Sequence, residues 1–90
     1  MSSSIDAARV RANAEKITKQ PASMRVAMKR GMQGDIDALR TQLGAQYDWL
    51  NAHPDDPRHN EREDHWLADL AHYEAACDAL ASVTQLELVL

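Results

Sequence analysis

Histidines and carboxylates in the second half of the chain have a spacing that could support metal chemistry. His65, Asp69 and His72 follow one another at intervals of four and three residues, so on a helix they would share one face. Di-metal carboxylate bundles, however, use a Glu-x-x-His motif on each of two helices and a Glu from two others. Here no histidine precedes residue 53, so a preceding helix could not supply the second Glu-x-x-His motif. We therefore expect exposed polar side chains, with neither a metal nor a cofactor.

The side chains that could act as nucleophiles do not lie in a recognisable catalytic setting. Ser2, Ser3 and Ser4 stand at the start of the chain, and the single Cys77 falls on an apolar helical position, where a thiol behaves as a small hydrophobe. The three glycines are scattered through a helical pattern instead of following a strand, which excludes a glycine-rich phosphate loop. The sequence therefore predicts a protein without catalytic activity.

Basic side chains are concentrated in the N-terminal third. Residues 1–34 contain seven basic and two acidic side chains, whereas residues 35–90 contain three basic and twelve acidic ones. The basic side chains of residues 1–34 could contact a nucleic acid. Alternatively, they could pair with the acidic third helix in the same chain or in a second copy. We favour pairing, because no aromatic residue is interleaved to stack on a base and the acidic remainder would repel a polyanion. The candidates are Arg9, Arg11, Lys16, Lys19, Arg25, Lys29 and Arg30.

Apolar side chains at three places could bind another protein. Met24, Met28 and Met32 repeat every four residues, and methionine is common both in cores and on adaptable binding surfaces. The segment from 86 to 90 is apolar and contains no helix breaker, so it either extends a helix into an intersubunit contact or docks on a partner. The candidate contact residues of this group are Met24, Trp49, Leu86, Leu88 and Leu90.

Three helices would position these side chains. Apolar residues spaced three and four apart predict a first helix over about residues 4–19, with Ser3 and Asp6 at its N-terminal cap. Pro21 ends it and suits the first turn of a second helix over about residues 21–52. Gly31 and Gly34 leave a kink open near residues 31–34. The apolar seam of the second helix consists of Met28, Met32, Ile36, Leu39, Leu43 and Leu50.

A turn over residues 53–57 separates the second helix from a third. It contains two prolines and several turn formers. The third helix, over about residues 57–88, repeats apolar residues at the spacing of a coiled-coil seam, at Trp66, Leu70, Tyr73, Cys77 and Leu80. The two long helices have matched lengths, which predicts an antiparallel hairpin with Ile36 opposite Tyr73.

The first helix is about half as long as the hairpin, so further apolar surface needs a cover. Small side chains on the third helix would admit either the first helix or a second copy at close range: Ala68, Ala71, Ala75, Ala79 and Ser82. The sequence thus predicts an all-α fold, with one helical domain over residues 1–90 that dimerisation or a partner completes as a bundle.

Composition narrows the class of function. The chain has 90 residues, a net charge of -4, 44% hydrophobic residues and one cysteine. It has neither the start of a signal peptide nor a run of about 18 apolar residues, so we expect a cytoplasmic protein without membrane contact. We predict a non-enzymatic helical protein–protein interaction module, as a homodimer or as a small subunit of a larger assembly. The alternative is a nucleic-acid-associated accessory or regulatory protein that uses the basic N-terminal third.

Overall fold

Three α-helices follow one another along the chain. The computed structural model describes residues 7–89, with side chains from residue 9 onward. The helices are α1 (Ala7–Thr18), α2 (Ala22–Ala52) and α3 (His59–Glu87). The all-α fold is confirmed, and the described residues form no strand. The expected cap at Ser3 and Asp6 lies outside these residues, as does Leu90.

α2 is continuous through both positions where the sequence permits a kink. Gly31 and Gly34 are helical, and neither has a positive φ. A Cβ atom added at either position would have no neighbour within 4 Å. The helix starts directly after Pro21, whose carbonyl accepts a 3.0 Å hydrogen bond from the backbone N–H of Arg25. Packing therefore does not require glycine in this part of α2.

α2 and α3 form the antiparallel hairpin, because contacts that advance along α2 retreat along α3. They run from Arg25 with Glu87, through Arg40 with Tyr73, to Tyr47 with Trp66. The aromatic rings of the last pair have centroids 5.7 Å apart. We call the end where α2 begins and α3 finishes the open end, and residues 48–64 the tip.

The register of the hairpin differs by about one helical turn from the one predicted. The sequence places Tyr73 opposite Ile36, whereas the Tyr73 hydroxyl accepts two 3.3 Å hydrogen bonds from the Arg40 guanidinium. The expected register assumed that the chain folds back at Pro54. α3 begins only at His59, so the midpoint of the connection lies later in the chain. Each residue of α3 therefore meets a residue of α2 that is nearer the tip.

Asp56 orders the connection between the two helices. Its carboxylate accepts a 2.8 Å hydrogen bond from the backbone N–H of Arg58 and a 3.2 Å bond from the Arg58 guanidinium. These bonds hold the pKa of Asp56 below its ordinary value. Arg58 occupies the N-cap position of α3 without a side-chain cap. Neither Asp56 nor Asn60, both of residue types favoured at an N-cap, caps α3.

The buried core is small for three helices. It consists of Ala14, Ile36, Leu43, Leu50 and Val83. The other apolar positions of the hairpin seam are only half-buried: Met32, Leu39, Trp66, Leu70, Tyr73, Cys77 and Leu80. Two helices alone cannot cover both sides of their own seam, so water still reaches these side chains.

α1 packs in its own chain, mainly against α3 and only slightly against α2. Ala14 and Val83 are the least exposed core residues, at 1% and 0%. At about 1.5 Å per residue, the 12 residues of α1 extend about 18 Å and the 31 residues of α2 about 46 Å. α1 therefore covers less than half of the hairpin. None of the three described helices is long and apolar enough to cross a bilayer.

Candidate interaction surface

A groove opens at the open end because α1 packs on α3 while touching little of α2. It encloses about 370 Å³. Its apolar lining comes from all three helices, through Ala14, Ile17, Met28, Met32, Ala79 and Val83. Lys16 and Asn13 of α1 also line it. We call this feature the apolar groove. Its size suits two or three side chains of another polypeptide.

At the open end, Met24 and Met28 lie beside the hairpin seam and not within it. The seam positions before Met32 are held by Arg25 and Lys29, which are half-buried. Met28 is 38% exposed and Met24 is 50% exposed. The assignment of Met28 to the seam is therefore wrong. Met28 and Met32 instead form the α2 wall of the apolar groove.

Exposed apolar side chains are concentrated at the open end. Of the seven large hydrophobic residues that are exposed in the described chain, five lie there: Met24, Val26, Met28, Leu88 and Val89. Leu88 and Val89 are 82% and 81% exposed. Leu86, two residues before Leu88, is half-buried and lines a second groove with Arg11 and Ser82. Met24 and Met28 share one face of α2, and neighbouring exposed apolar side chains mark an interaction surface more often than isolated ones do.

Two of the seven candidate basic residues pair with α3 of their own chain. Arg25 Nε lies 2.9 Å from one Glu87 oxygen, and Lys29 Nζ lies 2.6 Å from the other. The Glu87 side chain is only 19% exposed. The hydrogen bond from Lys29, with a further one from Arg25, lowers the pKa of Glu87. Arg25 and Lys29 therefore join the start of α2 to the end of α3 at the open end.

The other basic candidates remain at the surface. Arg11 forms a 3.6 Å ion pair with Glu15 of the same helix. Four more are exposed and form no ion pair with another described residue: Arg9, Lys16, Lys19 and Arg30. We call these four residues the basic rim. Arg9 and Lys16 lie seven residues apart and so share the side of α1 that faces the apolar groove.

The tip carries the opposite charge. Residues 48–64 contain six acidic side chains and two arginines. Asp56 is paired with Arg58. The other five acids are exposed, and within residues 7–89 none forms an ion pair: Asp48, Asp55, Glu61, Glu63 and Asp64. We call these five residues the acidic tip cluster.

Trp49 is engaged by its own chain at the tip. Its ring stacks on the imidazole of His53, with centroids 4.5 Å apart and planes 18° apart. The guanidinium groups of Arg62 and Arg58 lie 5.0 and 5.6 Å from its centroid. Cation–π contacts at exposed sites contribute about 0.5–1 kcal/mol each. These contacts favour a role for Trp49 as an anchor of the tip over the predicted role as a contact residue for a partner.

The side chains considered for a metal site are used differently. The Asp69 carboxylate accepts hydrogen bonds from the side-chain amides of Gln42 and Gln46, at 3.0 and 2.8 Å. His72 is exposed, and Cys77 is half-buried on α3. Across residues 7–89, no group of three or more His, Cys, Asp or Glu side chains is arranged to hold a metal ion.

The structure brings together several residues that the sequence offered separately. Lys16, Met28 and Met32 meet at one groove, while Trp49 lies at the far end of the hairpin. Sequence reasoning missed Val26, because an isolated valine in a helix carries no signal of exposure. It also missed Glu87, whose role depends on a partner about 60 residues away. Comparison with protein-family models, curated proteins and solved structures finds no match.

Proposed function

We propose that this protein is a non-enzymatic helical interaction module that works as a homodimer, in which a second copy covers the open end and the half-buried seam. The observation that carries the proposal is the cluster of exposed apolar side chains beside the apolar groove. Met24 and Met28, one helical turn apart on the same face of α2, are 50% and 38% exposed. Completing their burial would contribute on the order of 1 kcal/mol each.

The uncovered seam supports the same proposal. Leu39, Leu70 and Leu80 are aliphatic residues at seam positions, yet they are only half-buried. A second hairpin packed on the first would complete a four-helix arrangement, which is a common way to bury such a seam. Among homo-oligomers, two-fold dimers are the most frequent.

Two observations favour binding over catalysis. Asp69 is engaged by two glutamine amides, and Cys77 is half-buried among seam residues of α3. Both environments suit a structural role, since Asp69 joins α3 to α2 and a thiol packed on a helix seam behaves as a small apolar side chain.

Light scattering coupled to size-exclusion chromatography tests the homodimer directly. The expected mass is about twice the 10.1 kDa of one chain. The double variant Met24→Glu/Met28→Glu should elute as a monomer with unchanged helicity, because both positions are exposed and tolerate a charge in the monomer. Thr41→Glu adds a charge at an exposed position away from the open end and serves as the control.

Two outcomes would count against the proposal. A wild-type protein that stays monomeric up to its solubility limit would overturn the homodimer. A monomer that elutes at low salt with excess absorbance at 260 nm, lost at high salt, would indicate nucleic-acid binding through the basic rim, since phosphate contacts weaken steeply with salt.

A further inference from the structure

We infer that the two copies pack side by side in antiparallel orientation, with the basic rim of each copy against the acidic tip cluster of the other. This inference rests on the proposed homodimer and adds its orientation. Four exposed basic side chains at one end of the hairpin and five exposed acidic ones at the other carry it. The described residues offer no ion-pair partner to either set within the chain.

The two charged surfaces cannot neutralise each other within one chain. They lie at opposite ends of a helix about 46 Å long. Salt at physiological strength screens charges beyond about 8 Å. A second copy is therefore the nearest surface of matching chemistry, since it carries the same acidic tip and the same rim.

Antiparallel packing satisfies both surfaces at once. Because the hairpins are identical, a half-turn rotation brings each tip to the open end of the other copy, and two-fold symmetry makes the contact twice. A parallel pair would place rim against rim and tip against tip, and like charges in contact are unfavourable. Charge thus selects the orientation, while the apolar groove and the seam supply the buried area.

The stretch of α3 that α1 leaves uncovered suits this arrangement. Ala68 is exposed, and Ala71 and Ala75 are only half-buried. These residues lie near the middle of the hairpin, where the two copies would cross. Small side chains there would permit close approach of a helix from the second copy.

Charge reversal provides the test. The rim variant carries Arg9→Glu, Lys16→Glu, Lys19→Glu and Arg30→Glu. The tip variant carries Asp48→Lys, Asp55→Lys, Glu63→Lys and Asp64→Lys. Glu61 is kept, because it lies in the first turn of α3, where a negative charge favours the helix. A one-to-one mixture of the two variants has the same total charge as the wild-type dimer.

Each variant alone should lose the dimer and run as a helical monomer, because both of its contacts become repulsive. The mixture should recover a one-to-one dimer with the wild-type mass. The wild-type dimer should also weaken as salt rises.

Three outcomes would contradict the inference. A rim variant that dimerises alone as well as wild type would indicate a parallel or charge-independent dimer, leaving the homodimer itself in place. A mixture that remains monomeric would refute the pairing of rim with tip. Masses that grow beyond the dimer with concentration would indicate an open head-to-tail chain. A monomeric wild type, in contrast, would remove the proposed function as well.

A milder variant covers the case in which a reversal prevents folding. Replacing the four rim residues by Gln removes their charge without placing new acids on α1 and α2. The dimer of this variant should show a weaker salt dependence than wild type. An unchanged salt dependence would contradict the inference.

Discussion

Replacing the three glycines of α2 by alanine should stabilise the protein. Gly31, Gly34 and Gly44 all lie within the helix, and none has a positive φ. A Cβ atom at each position would meet nothing within 4 Å. Glycine inside a helix costs about 0.8–1.0 kcal/mol relative to alanine, largely because the unfolded chain loses more conformational freedom. With no steric penalty to subtract, the triple variant should gain about 2–3 kcal/mol.

Thermal unfolding followed by circular dichroism measures this gain. For a domain of this size, 1 kcal/mol corresponds to a Tm shift of about 4–8 °C, so the triple variant should unfold roughly 8–24 °C above wild type. The two proteins must be compared at one concentration, because the proposed dimerisation would make Tm depend on concentration. Ala38→Gly, at an exposed position of the same helix, should lower the stability by about 1 kcal/mol.

A triple variant with an unchanged or lower Tm would refute the reasoning. If its mass by light scattering equals that of wild type, the error would lie in the continuity of α2 around Gly31 and Gly34. If the variant has become a monomer, the glycines would instead be needed where the second copy approaches.

Two further predictions concern the ion pairs and the seam. Because the pKa of Glu87 is lowered in the folded state, its contribution to stability is complete above its unfolded pKa of about 4.5 and is lost as the pH falls through the lowered value. Urea unfolding of Glu87→Gln should therefore show lower stability at neutral pH and converge with wild type in acid, whereas a constant difference would contradict this origin. Leu43→Ala should cost about 2–4 kcal/mol, since Leu43 is 8% exposed, while Leu67→Ala, at a residue 49% exposed, should cost much less. Equal losses would show that the seam is misplaced.

Local signals made the helices predictable. Pro21 separates α1 from α2 because proline cannot continue a helix interior, and the prolines at 54 and 57 fall in the connection before α3. The buried positions Ile36, Leu43 and Leu50 follow directly from helical periodicity.

The residues of α2 that face α3 could be predicted only in the part of the helix nearest the tip. Met28 and Met32 precede Ile36 in steps of four residues, and each such step rotates about 40° past a full turn. Two steps carry Met28 about 80° away from Ile36, so it leaves the seam. Lys29 continues the seam instead, because the long aliphatic part of a lysine can pack while its charged end reaches Glu87.

The register and the position of α1 depend on contacts between distant residues. The register follows from where α3 begins, and helix starts are uncertain by a few residues from sequence. The packing of α1 within its own chain depends on the contact between Ala14 and Val83. In the sequence these are two small apolar residues, and nothing indicates that they pair. The proposed orientation of the two copies also depends on which charged residues, far apart in the sequence, lie at the same end of the hairpin.

The pairing of Ala14 with the far end of α3 has a consequence for synthesis on the ribosome. α1 is made before α2 and α3, and Val83 follows Ala14 by 69 residues. At about 5–20 residues per second, roughly 3–14 s pass before the surface that covers α1 has been made. During that interval the apolar side of α1 has no native partner, and α1 can dock only after the far end of α3 has been made.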